Sequence, residues 1–185
     1  FLFLIFSLLA SQALPQKAQA ACVMAAEVTG AVSAATNDYL ERVETAALDK
    51  KCASILLRIN TPGGDLQSTR LIVERMLESE IPYLCLITPR GAHAGSAGAI
   101  IMMACHVSGG VEASHLGAAT PILANGQQIS EDLRKKLIND TVSWIEGVAK
   151  VRGRDLNFAK EIVTDAKSVG VEEAVRLKAV DYAVK

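Results

Sequence analysis

The chain has 185 residues, half of them hydrophobic and 4% aromatic, which is enough for one domain with a buried core and a short appendage. Its 19 Lys+Arg and 20 Asp+Glu are scattered without runs, so a net charge of -1 offers no electrostatic footprint for nucleic acid, and that partner class is set aside. There are no internal repeats and no low-complexity linker. Residues 1–10 (FLFLIFSLLA) are continuously apolar, and residues 11–21 turn small and polar through Ala18-Gln19-Ala20. An apolar run before an A-x-A site is the pattern of a signal peptide, here without a basic start or an initiator Met, so the expected division is a signal peptide truncated at its start over 1–20 and a mature domain over 21–185. The apolar run is too short for a bilayer-spanning helix, which needs about twenty residues.

Cys22 follows the site closely, but Gln19-Ala20-Ala21 lacks the leucine usual before a lipidated cysteine. The other cysteines, Cys52, Cys85 and Cys105, lie in or beside apolar runs without CxxC spacing, which argues against metal ligation. In an exported protein a Cys22–Cys52 disulfide is open to the chain, yet four cysteines allow three full pairings, and buried free thiols are the ordinary expectation.

From Cys22 onward strands and helices alternate. Residues 23–28 read as a strand ended by Gly30, and Thr36-Asn37-Asp38 as the cap of a helix with Tyr39, Leu40, Val43, Ala46 and Ala47 at helical spacing. A strand over 53–60 breaks at Pro62-Gly63-Gly64, a turn whose free N–H groups can face an anion. A helix carrying Leu71, Ile72, Val73, Met76 and Leu77 follows, then a buried strand over 82–88. Ala94-Gly95-Ser96-Ala97-Gly98 then opens an apolar helix running to Ala104. Such a cluster often means only close packing of helix on strand. Here, however, a serine at the mouth of an apolar helix has its hydroxyl near backbone N–H groups and the positive end of a helix dipole, which makes Ser96 the leading nucleophile.

Residues 105–111 predict a short strand and turn, 114–122 an extended Gly/Ala-rich piece, and Asn125-Gly126 a turn. Ser130 caps a long helix to about Val151 with acids in its first turn, and Gly153 ends it. Shorter helices over 157–163 and 171–178 precede a strand over 179–184. Buried strands separated by helices imply right-handed βαβ crossovers, a mostly parallel sheet, and a site beyond the carboxyl ends of the strands, where both the Gly63-Gly64 turn and the Ser96 segment emerge.

Three ordered motifs carry a resemblance: Asn60-Thr61-Pro62-Gly63-Gly64, Ala94-Gly95-Ser96-Ala97-Gly98 and Leu116-Gly117-Ala118-Ala119-Thr120-Pro121-Ile122. Together they make the chain, from about residue 22 to its end, similar to the ClpP-class, SppA-like membrane serine proteases of the NfeD group. The resemblance implies a ClpP/crotonase-like spiral of βαβ units and a serine endopeptidase acting on apolar segments of membrane-associated proteins. It also implies a homo-oligomer, a stomatin-like membrane partner, and a full-length protein that is membrane-associated and extracytoplasmic, with further transmembrane helices and a small β-barrel domain.

In ClpP the base is a histidine after the serine helix, but alignment through Thr120-Pro121 puts Ala119 in its place, with His115 four residues away. His93, His106 and His115 read as ordinary polar or loop histidines. In the SppA and NfeD relatives the base is a lysine. Counting back from Gly153-Arg154 assigns it to Lys136 by resemblance, with Lys135 as the fallback, since both flank the apolar face of Leu137, Thr141, Ile145 and Val148. A lysine acts as base only where burial lowers its pKa from about 10.4 toward neutrality. The expected site is therefore Ser96 and Lys136 as catalytic dyad, with N–H groups of Gly63 or Gly64 and of Ala97 as oxyanion hole. No metal or nucleotide cofactor is called for, and the chain has no GxxxxGK[ST] phosphate loop.

Three other readings compete. A crotonase-type acyl-thioester enzyme shares the architecture but needs a helical glutamate, for which no compelling residue stands out. An α/β-hydrolase elbow needs glycine where Ala94 stands and a histidine beyond His115. A catalytically silent domain binding a membrane partner needs no chemistry at all. The export expectation has its own check: N-terminal sequencing of the mature protein should begin near Ala21, and a chain found with residues 1–20 intact overturns it.

Overall fold

A computed structural model of the chain describes residues 21–121 and 130–185. The expected signal peptide over 1–20 and the Asn125-Gly126 turn lie outside the described residues. The first strand, β1 (Val23–Thr29), leads to α1 (Ala34–Asp49), which starts earlier than its capping triplet suggests. Its N-cap is Ser33, whose N–H donates to Thr36 Oγ1 at 3.1 Å, so Thr36 closes the first turn from inside. Next come β2 (Ser54–Asn60), α2 (Leu66–Glu78) and β3 (Tyr83–Ile87). Asp65 caps α2 by accepting from the Gln67 and Ser68 N–H groups. A short β4 (His93–Gly95) feeds α3 (Ala97–Ala104), followed by β5 (Val107–Val111) and β6 (His115–Gly117). The long α4 (Glu131–Val151), α5 (Leu156–Thr164), β7 (Ser168–Gly170), α6 (Val171–Arg176) and β8 (Tyr182–Val184) complete the order.

Five strands form one wholly parallel sheet in the order β1-β2-β3-β5-β8. Its central strands β2 and β3 are buried at Ile55, Leu57, Ile59, Tyr83 and Ile87, as strands covered on both faces must be. This is the α/β architecture the alternation predicts. A second sheet, β4-β6-β7, stands at the carboxyl edge of the first, with β4 and β6 parallel and β7 antiparallel. No apolar periodicity announced it, because strands of three residues are too short to display one.

All eight residues of α3 are buried, including Ile100, Ile101, Met102 and Met103. Each of those side chains gains about 1.5–3 kcal/mol on leaving water. Two arginines beyond the far end of α4 close the C-terminus of this helix. Arg152 donates through Nε to Ala104 O and through Nη2 to Met76 O, both at 2.8 Å, and Arg154 Nη2 donates to Cys105 O at 3.2 Å. The cysteines correct the free-thiol expectation, for all four are paired, Cys22 with Cys52 and Cys85 with Cys105. The first pairing follows from strand register: Val23 lies opposite Ser54, and the Ala53 N–H donates to Cys22 O. The second ties β3 to the C-cap of α3. Among the described residues no helix is long and apolar enough to cross a membrane.

Arg154 also binds Asp181 at 2.6 Å, and the Ser108 N–H donates to the same carboxylate at 2.7 Å. Burial alone would raise the Asp181 pKa, but Arg154 and the Ser108 donor outweigh it and hold the carboxyl below its ordinary value. A group depressed in the folded state contributes stability above its unfolded pKa of about 3.9 and loses it as pH falls through the folded value. Thermal melting followed from neutrality down through that range should show an acid-side loss of stability that Asp181→Asn flattens.

Candidate active site

The site begins where β2 runs out. Thr61 is fully buried and makes three links beyond its own turn: its N–H donates to His93 O at 2.9 Å, its carbonyl accepts from the Gly95 N–H at 2.9 Å, and its hydroxyl donates to Gly30 O at 2.5 Å. Thr61 thereby lashes the β2 terminus to β4. Helix α3 sits on the same residue, since a Cβ at Gly98 would come within 2.6 Å of Thr61 Cγ2. In the sequence Thr61 shows only as a motif residue, and its position between a strand and a Pro-Gly-Gly turn is the signal of its role.

Between β4 and α3 stands Ser96, half-buried, at φ 49° and ψ -113°. A non-glycine residue in that region costs about 1–3 kcal/mol and is kept only where the surroundings over-determine it. They do so here: the Ser96 N–H donates to both Gly117 O and Ala118 O at 3.1 Å, at the end of β6. Those carbonyls are a part of the site that sequence reading missed, although they belong to the third motif. On the other side Gly63, at φ 117°, presses its backbone on the serine, and a Cβ there would run into Ser96 Cβ and lie 3.1 Å from Oγ.

The proposed oxyanion donors differ from one another. The Gly63 N–H donates to Thr61 Oγ1 at 3.1 Å and is already engaged. The Gly64 and Ala97 N–H groups have no acceptor among the described residues, the second being one of the unpaired donors of a helix first turn. Ser96 Oγ itself forms no hydrogen bond with any described residue, so neither a histidine nor a lysine reaches it here. His106 is engaged elsewhere, because its Nδ1 accepts the Tyr83 N–H at 3.1 Å; burial and then the Arg152 charge push its pKa down. His115 stacks on His93, and the Ala119 N–H donates to Ile162 O at 2.6 Å.

Lys136 and Lys135 lie on the exposed first turns of α4. Lys135 pairs with Glu131 at 2.7 Å along the helix, whereas Lys136 has no ion pair among the described residues. The helix is gripped only further on, where Arg70 binds Asp140 at 2.5 Å and lies 4.4 Å above the Trp144 ring, and Thr141 is its first fully buried residue. The burial expected of a lysine base is therefore not supplied to Lys136 by the described part of one chain.

Gly63 yields a direct test. Gly63→Ala combines a disfavoured φ with a clash against the nucleophile, and it should both lower the melting temperature and abolish covalent labelling of Ser96 by a serine-reactive probe. A normally stable, normally labelled variant would show that the turn does not abut the serine.

Residues 22–179 match the NfeD1b N-terminal domain family. A membrane-bound protease of Pyrococcus horikoshii is 29% identical over 164 residues, covering 88% of this chain and 37% of that protein, so the chain spans little more than a third of the relative's length. Among solved structures, the 1510-N membrane-bound stomatin-specific protease superposes with a TM-score of 0.82 at 29% identity over 89% of this chain and 80% of that one. That structure carries alanine in place of a serine. A second, carrying alanine in place of a lysine and complexed with a substrate peptide, gives the same TM-score at 28% identity, over 89% of this chain and 75% of that one. A third, a 1510-N membrane protease specific for a stomatin homolog from Pyrococcus horikoshii, gives 0.73 at 27% identity, over 88% and 73%. The chain belongs to the NfeD1b N-terminal domain family.

Proposed function

We propose that this domain is a serine endopeptidase working through a Ser96–Lys136 dyad, without ATP, metal or nucleotide. The observation that carries the reading is Ser96 itself: a hydroxyl with no hydrogen-bond partner among the described residues, on a strained residue at the N-terminus of a wholly buried helix, beside unpaired backbone donors. Its solved relatives are named proteases, altered at a serine in one case and a lysine in another, the two residue types assigned here. Ser96 Oγ attacks the peptide carbonyl, and Lys136 takes the hydroxyl proton and returns it to the leaving amine. The N–H groups of Ala97 and Gly64 hold the oxyanion, with Gly63 shaping the turn, and water then hydrolyses the acyl-enzyme. The substrate backbone adds as a strand along Gly63-Gly64 and the 116–122 segment.

The partner class is an apolar segment of a membrane-associated protein, a stomatin-like protein by analogy with relatives specific for one. The domain works outside the cytoplasm in a membrane-associated full-length protein. Lys136 is exposed in the single chain, so its desolvation falls to bound substrate or to a second copy in a homo-oligomer. That same exposure favours one other reading, a silent domain that binds a membrane partner and turns over nothing.

Turnover of an apolar peptide, without ATP and in the oligomer the chain forms, separates these. Ser96→Ala and Lys136→Ala should each lose about a thousandfold or more, since groups acting as a unit fail together. Lys135→Ala, His93→Ala, His106→Ala and His115→Ala should keep most activity. A folded, active Lys136→Ala beside an inactive histidine variant refutes the dyad. A wild-type chain whose Ser96 takes no label, or that cleaves only with ATP and an unfoldase, refutes the protease as stated.

A further inference from the structure

His93 and His115 are left over by the dyad. They occupy matching positions of β4 and β6, paired in parallel register, and their rings stack with centroids 5.4 Å apart and planes 11° from parallel. Neither ring is hydrogen-bonded to a described residue, in contrast to His106. What is fixed is the backbone beneath them: the His93 N–H donates to Asn60 Oδ1 at 3.3 Å, and the His115 N–H to Ala92 O at 3.3 Å. The His93 ring leans along its strand over Gly95, the residue before the nucleophile, its Cδ2 lying 3.2 Å from where a Cβ on Gly95 would be. Stacked rings keep their nitrogen lone pairs in separate planes, but no hydrogen bond to a described residue holds either ring, so a turn about the side-chain bonds brings a nitrogen of each to one ion, and neutral imidazole is the commonest protein ligand for zinc-class ions. Among the described residues no third ligating side chain joins them, so the remaining coordination positions belong to water, and binding is reversible rather than structural.

We propose that His93 and His115 together bind a divalent transition-metal ion of the zinc class, and that the bound ion obstructs the approach to Ser96. The obstruction rests on the protease reading above; the ion site does not. Calorimetry of the untagged chain with zinc chloride alone at neutral pH should show one saturable site. His93→Ala and His115→Ala should each weaken it by at least the roughly tenfold that follows loss of a mere outer-shell partner, and His106→Ala should leave it unchanged. No saturable binding, or binding that survives both substitutions, overturns the site. In the turnover assay zinc should inhibit the wild-type chain, a chelator should restore it, and His93→Ala and His115→Ala should be insensitive. Zinc that binds and leaves turnover unmoved overturns the obstruction. A chain inactive before zinc is added would count against the protease reading, while calorimetry still decides the ion site.

Discussion

A helix with no polar face has one place to go. The residues from Ala97 to Ala104 present nothing that water can solvate, and the chain buries all eight against the sheet edge, α2 and α4. That burial has a second consequence, because the unpaired backbone groups at each end of a buried helix must find partners or be left for a ligand. At the C-terminal end Arg152 and Arg154 supply donors to the Ala104 and Cys105 carbonyls. At the N-terminal end the chain has to turn sharply out of β4 into the helix, and Ser96 absorbs that turn at positive φ. The Ala97 donor, unpaired among the described residues, and a strained serine adjoin because of where the apolar run has to lie.

The strain is held from three directions by backbone more than by side chains. The Gly117 and Ala118 carbonyls grip the Ser96 N–H, Gly63 fills the space beside its Cβ, and Thr61 ties the β2 terminus to β4 immediately before the turn. This explains why the small second sheet exists at all. With three residues in each strand it buries little, but β4 and β6 deliver the serine and the carbonyls that fix it, and β7 closes the outer edge of β6. Its stability is borrowed from the parallel sheet through Thr61 and from α5 through the Ala119 bond to Ile162 O.

Much of this was legible in the sequence. The alternation of buried runs and 3.6-residue patterns gave the parallel sheet, and that topology placed the Gly63-Gly64 turn and the Ser96 segment of the candidate site at one edge of it. The short strands, the start of α1 and the choice among cysteine pairings were not legible, each for a physical reason. Three residues show no period, a side chain inside the first turn looks like a cap, and disulfide partners are selected by tertiary placement, strand register for Cys22–Cys52 and the approach of β3 to the end of α3 for Cys85–Cys105, that no local pattern encodes. Within the site, Ser96 could be read from its flanking residues, whereas the division of labour between Gly63 and Gly64 depends on which N–H the Thr61 hydroxyl engages.

The lysine shows a different limit. Periodicity could not separate Lys135 from Lys136 because both flank the same apolar face, and the structure distinguishes them only through the Glu131 pairing. An exposed i,i+4 pair of this kind is worth a few tenths of a kcal/mol, too little to confine a lysine that chemistry required elsewhere. The larger constraint is the anchoring of α4. Arg152, Arg154 and Thr141 fix its later turns to the core, and Arg70 fixes Asp140, while residues 131–136 extend past the last of these contacts. The serine is thus positioned by the most buried helix of the fold, and the proposed base by the exposed end of its longest. Two groups held so unequally make the serine a permanent feature of the fold and leave assembly of the dyad to whatever covers the start of α4, so that on this reading the fold keeps its nucleophile ready and its base conditional.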